Sequence, residues 1–114
     1  MPHEAQNDAS APVFRVDKFV VPAESLPEFI AQMRRAHQTL ATLPGCQQKH
    51  VLTQTGGDGE FNVVTVVEWA NAQAVASAQA VMLRKFEEEG FDPATFRRKL
   101  GVRSDSGFYS RVSA

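Results

Sequence analysis

Phe61-Asn62-Val63-Val64-Thr65-Val66-Val67-Glu68-Trp69 is the stretch on which the architecture turns. Its β-branched and aromatic content marks a strand, and alternation puts Phe61, Val63, Thr65, Val67 and Trp69 on one face. The opposite face still offers Val64 and Val66 between Asn62 and Glu68. A strand that is apolar on both sides belongs in the middle of a sheet and needs cover on both faces. Upstream, Val13 to Val21 has the same character, with Phe14, Val16 and Val20 on one side and Phe19 and Val21 on the other. It stops at Pro22, which lacks the N–H that a continuing central strand would need. These two runs are expected to lie side by side at the centre of the sheet.

Between them, Ser25-Leu26-Pro27-Glu28 has the spacing of a capping box, and Leu26, Phe29, Ile30, Met33, His37 and Leu40 recur at three- and four-residue steps. Pro44-Gly45 ends that helix. Cys46 to Thr55 reads as a second strand, joined to Phe61–Trp69 through Gly56-Gly57-Asp58-Gly59, a hairpin signal. Asn71 caps a second helix with Val75, Ala78, Met82 and Phe86 on one stripe and Gly90 as its stop. Asp92-Pro93 opens a short extra helix closed by Gly101, and Phe108 to Val112 is expected as the last strand. The order is βαββαβ, an α+β antiparallel sheet with helices on one face. Two helices leave the second face open, and a two-fold dimer is the simplest way to bury Val64 and Val66.

The 114 residues suffice for one domain, expected over 13–112, after a loose tail from Met1 to Pro12 that carries almost no bulky apolar side chain. A formal net charge of -1 gives no basic field for phosphate backbones, which argues against a nucleic-acid partner. No apolar run approaches a membrane span and no secretory signal is evident, so a cytoplasmic location is expected. The single cysteine, Cys46, forbids an internal disulfide, and the three histidines are too scattered to suggest a metal site.

An even-length hairpin loop would pair even positions of the second strand with odd positions of the third. It would place Cys46, Gln48, His50 and Leu52 on the face of Thr65, Val67 and Trp69. His50, Trp69 and the His37 stripe would then look into one space between sheet and helices. His50, titrating near neutrality, reads either as a base in that space or as an exposed edge-strand residue. His37 is either a satisfied core histidine or a ligand contact, and Trp69 either a core residue or a stacking wall. Asp17, on a central strand, is either salt-bridged, to Arg15 or to a helix residue, or kept for chemistry. Tyr109, the single tyrosine, could donate to a bound oxygen or simply pack.

The order of these features resembles the antibiotic biosynthesis monooxygenase family of the dimeric α/β-barrel superfamily. The features are a strand ending Val20-Val21-Pro22, a helix ending Leu43-Pro44-Gly45, a Gly-rich hairpin, and Thr65-Val66-Val67-Glu68-Trp69 running into a second helix. The resemblance implies a ferredoxin-like fold, a homodimer, and oxidation of a small aromatic substrate (quinol, phenol or polyketide anthrone) by O₂ with no flavin, haem or metal. On it, the catalytic candidates are His50, Asp17 and Trp69, and the ligand-binding candidates His37, Thr65, Gln48 and Tyr109. Haem-degrading relatives use an Asn on strand one and a His on helix two, where this chain has Asp17 and the Ser77-Ala78-Gln79 neighbourhood, so haem breakdown is demoted. The rival from another class is a small-ligand-binding or structural dimer without turnover.

Overall fold

The computed structural model describes residues 11–112, so the expected tail, as far as Ser10, lies outside the described residues. Four strands form one antiparallel sheet: β1 (Val13–Val20), β2 (Cys46–Thr53), β3 (Val63–Trp69) and β4 (Arg103–Tyr109), in the order β2-β3-β1-β4. α1 (Leu26–Leu40) connects β1 to β2, and α2 (Ala72–Glu89) and α3 (Pro93–Leu100) lie between β3 and β4. The chain thus has the ferredoxin-like α+β fold, with β1 and β3 central as their two-sided apolar patterns require. No described helix is long and apolar enough to cross a membrane.

Alternation assigns the faces. Phe19, Val21, Val63, Val67 and Trp69 are buried beneath the helices. They fall into two clusters rather than one. Phe19, Val21, Val63 and Phe29 pack with Ile30, Met33, Phe96 and Leu100 at one end, while Val67, Trp69 and Ala78 pack with Leu40, Leu43 and Val75 at the other. The gap follows from strand register. Thr65 pairs with Asp17 and Asp17 with Ser106, so a polar row crosses the middle of the helix-facing side.

Local chemistry departs from expectation at three places. Ser25 does not form the capping box, because a turn of 3₁₀ helix over Ala23–Ser25 already puts it in helical conformation. Its hydroxyl donates instead to the Leu100 carbonyl at 2.9 Å, tying α1 to α3. The last strand starts at Arg103 rather than Phe108: the polar run Arg103-Ser104-Asp105-Ser106-Gly107 becomes a strand by pairing with β1, which overrides its weak intrinsic preference. Lastly, Asn62 extends the sheet beyond β3, its side-chain amide exchanging two 2.8 Å hydrogen bonds with the Val21 backbone.

Gly45 sets the entry to β2. It has φ +87°, and a Cβ added there would lie 2.5 Å from the Ala74 Cβ, at the start of α2. Its carbonyl accepts from the Ala70 N–H at 2.8 Å. Gly45→Val therefore combines a disfavoured backbone with a clash, and urea denaturation should show a loss of about 2 to 4 kcal/mol with the native fold retained at low denaturant. A loss below the ~0.5 kcal/mol typical of a neutral surface change would contradict this packing.

Candidate active site

The polar row is the floor of a cavity of about 260 Å³ between the sheet and the helices. Its walls are apolar: Met33 and Leu40 from α1, Val75, Ala78, Met82 and Phe86 from α2, and Val67 and Trp69 from β3. Polar groups interrupt these walls. Asp17, Thr65 and Ser106 come from the floor, His37 from α1, Gln79 from α2, and Arg15, Arg97 and Ser104 complete the lining.

Asp17 is held from two sides. Arg15, two residues along the same face, donates from Nε to Oδ2 at 3.0 Å and from Nη2 to Oδ1 at 3.3 Å, and the Ser106 hydroxyl donates to Oδ1. The Arg15 guanidinium also lies 5.5 Å from the Phe108 ring centroid, which fixes its direction. A carboxylate on the inner face of a central strand is costly unless it is paired in this way.

His37 projects from the last turn of α1 and is buried. Burial, reinforced by the nearby Lys49 ammonium, pushes its pKa below the ordinary 6.5; the Asp17 carboxylate opposes the shift, and His50 adds weakly to it. The imidazole is therefore neutral at pH 7. Among the described residues, neither ring nitrogen of His37 nor the Trp69 indole N–H has a hydrogen-bond partner in the protein. Yet no fully buried polar side-chain atom is left unsatisfied there. These nitrogens are accordingly not sealed off from solvent; both side chains line the cavity, and His37 also borders a second, smaller pocket with Arg34, Gln38, Lys49 and Val51.

The structure brings together Asp17, Trp69, His37 and Thr65 and separates His50, Gln48 and Tyr109 from them. The last hairpin pair is Thr53↔Val63, which leaves an odd number of residues, 54–62, in the loop. Even positions of β2 therefore meet even positions of β3: His50 lies opposite Val66 and Gln48 opposite Glu68, on the face away from the helices. A bulge between Cys46 and Gln48 restores the expected pairing only for Cys46↔Trp69. His50 is exposed and 3.4 Å from the Gln48 side chain. Tyr109 pairs with Phe14 on that same outer face and is half exposed, while its neighbour Phe108 lines the cavity. Sequence reading missed Ser106 and Ser104 because it began the last strand too late, and missed Arg97 because nothing local marks that side chain as inward.

Residues 12–86 match the model of the family described as antibiotic biosynthesis monooxygenase, and the chain belongs to that family. Comparison with curated protein sequences gives no match. Among solved structures, it is similar to SnoaB, a cofactor-independent oxygenase from Streptomyces nogalater. They share 22% identity and a TM-score of 0.66 over 91% of this chain and 96% of that one. A proposed monooxygenase from Shewanella loihica PV-4 is 20% identical with a TM-score of 0.65, covering 92% and 98%. The heme-degrading protein Rv3592 from Mycobacterium tuberculosis is 17% identical with a TM-score of 0.61, covering 92% and 96%. At such identities these three show a shared fold. The α2 side chains facing the cavity here are Val75, Ala78, Gln79, Met82 and Phe86, with no imidazole among them.

The lowered His37 pKa couples stability to pH. As pH falls below 6.5 the unfolded chain takes up this proton before the folded one, so stability is full above 6.5 and declines toward the lowered native value. Thermal unfolding of the wild type between pH 7 and pH 5 should therefore show a steeper loss than His37→Gln measured in parallel. Parallel slopes would mean that the imidazole titrates normally in the fold.

Proposed function

We propose that this chain is a cofactor-independent monooxygenase that oxidises a small aromatic substrate, a quinol, phenol or anthrone, with O₂. The observation that carries the proposal is that a neutral imidazole, an indole and a hydroxyl side chain line one cavity with largely apolar walls, in a chain of this family. An electron-rich aromatic becomes reactive toward O₂ once deprotonated, so the protein needs a base, water exclusion and donors for the resulting anion.

His37 takes the role of base in place of His50, which faces the other way. It accepts the proton in the neutral state that its burial enforces, and the Asp17 carboxylate, whose charge favours the protonated ring, stabilises the imidazolium that forms. Asp17 itself already accepts from Arg15 and Ser106, which leaves it less free to remove a substrate proton. Trp69 supplies the flat wall, and its N–H and the Thr65 hydroxyl can donate to the developing oxyanion.

For an anthrone the balance closes without an external reductant. The C–H proton goes to His37, the carbanion adds O₂ to form a C–O bond, and the peroxide loses its second oxygen as water when the remaining C–H proton leaves. The methylene becomes a carbonyl, and its carbon supplies all four electrons that reduce O₂. A binding dimer without turnover would keep the cavity but would have no need of a neutral base within it.

O₂ uptake by metal-stripped protein with quinols and anthrones tests the proposal. His37→Gln should cost about 10² to 10⁴ in rate, the usual contribution of a general base. His50→Ala should stay within about twofold, as expected of an exposed side chain outside the cavity. No uptake by the wild type would leave the non-catalytic binding reading, and a normal rate in His37→Gln would remove the base.

The same reading includes a homodimer formed through the outer face of the sheet. Phe14, Val16, Val64 and Val66 lie there, beside Leu52 and Tyr109, which are 49% and 51% exposed in the single chain. Val66→Lys would set an unpaired ammonium in the centre of that interface, a penalty of several kcal/mol. Sedimentation velocity should find a wild-type dimer at micromolar concentration and a folded Val66→Lys monomer. A wild-type monomer would overturn the interface.

A further inference from the structure

The charges lining the cavity do not cancel. Two guanidiniums, Arg15 and Arg97, face one carboxylate, Asp17, while His37 is neutral. Arg15 is committed to Asp17. Arg97 is not: among the described residues its guanidinium has neither an ion-pair nor a hydrogen-bond partner, and the Ser104 hydroxyl likewise has no hydrogen-bond partner. One unbalanced positive charge and at least one spare hydroxyl therefore belong to a chamber whose walls are largely apolar.

Arg97 is held in place by its backbone and its neighbours. α3 is capped by Asp92 at its start and closed by Gly101 at its end. Its Phe96 and Leu100 pack into the core cluster of Phe19 and Phe29. The Arg97 carbonyl accepts from the Val102 N–H at 2.9 Å, which ties this residue to the start of β4, two positions before Ser104. A half-turn helix rotation would move Phe96 out of the core, so the backbone of Arg97 is held where its side chain lines the cavity.

We propose that Arg97, with Ser104, forms an anchor for a carboxylate carried by the aromatic substrate, so that the site takes acidic aromatics in preference to neutral ones. A planar guanidinium in an apolar, partly desolvated wall forms short charge-assisted hydrogen bonds to a carboxylate, and the added negative charge neutralises the lining. Binding at that end leaves the ring system to the indole and to the α2 side chains. The proposal deepens the monooxygenase reading, and it rests on that reading only in calling the bound acid a substrate.

The test is calorimetric titration of the full chain without O₂, using 2-naphthoate and its neutral isostere 2-naphthamide. The wild type should bind the acid at least about tenfold more tightly, a ratio set by charge-assisted bonding. Arg97→Gln should abolish the preference while binding the amide as before, and Arg97→Lys should restore part of it because charge returns without the fork. Equal affinities in the wild type, no binding of either compound, or a preference that survives Arg97→Gln would overturn the anchor. A chain that prefers the acid but takes up no O₂ with any quinol or anthrone keeps the anchor and loses the monooxygenase, so the two ideas fail separately.

Discussion

A carboxylate on the inner face of a central strand constrains the rest of this structure. Asp17 sits where an aliphatic side chain would ordinarily join the core, and it is tolerable there because Arg15 and Ser106 both donate to it. With Thr65 beside it on β3, it keeps the two apolar clusters apart. Each cluster is large enough to fix its own helix segments, Phe29 and Phe96 at one end and Leu40 and Ala78 at the other, while neither can close over the middle. The cavity thus follows from a polar row that the core cannot cover, and its chemistry follows from which side chains border that row.

Burial holds the His37 imidazole neutral and would penalise an unpaired charge, which is why the one carboxylate lining the cavity among the described residues accepts from both Arg15 and Ser106. Proton transfer to His37 would place a cation near a carboxylate already fixed in position, with little reorganisation. The chain belongs to the antibiotic biosynthesis monooxygenase family and shares its fold with SnoaB.

Much of the fold was legible in the sequence because its signals are local. The two-sided apolar runs gave β1 and β3 as the central strands, the i, i+3, i+4 stripe gave α1 with His37 on its buried face, and Asp92-Pro93 with Gly101 gave α3. What the sequence hid depends on pairing. The facing of His50 and Gln48 turned on the parity of a loop and on one bulge beside Gln48, neither of which has a residue signature strong enough to read. β4 begins with Arg103-Ser104-Asp105-Ser106-Gly107, which has no strand preference of its own and gains one from the edge of β1. Because Ser106 completes the grip on Asp17, and Ser104 borders Arg97's cavity, that hidden strand concealed much of the site.

The fate of the two oxygen atoms of O₂ tests the proposed chemistry most directly. Turnover of an anthrone by metal-stripped protein under ¹⁸O₂ should yield a quinone carrying one ¹⁸O at the newly formed carbonyl, with the second atom recovered in water. A product without label, or label incorporation that depends on an added metal or flavin, would contradict a reaction driven by deprotonation within this cavity.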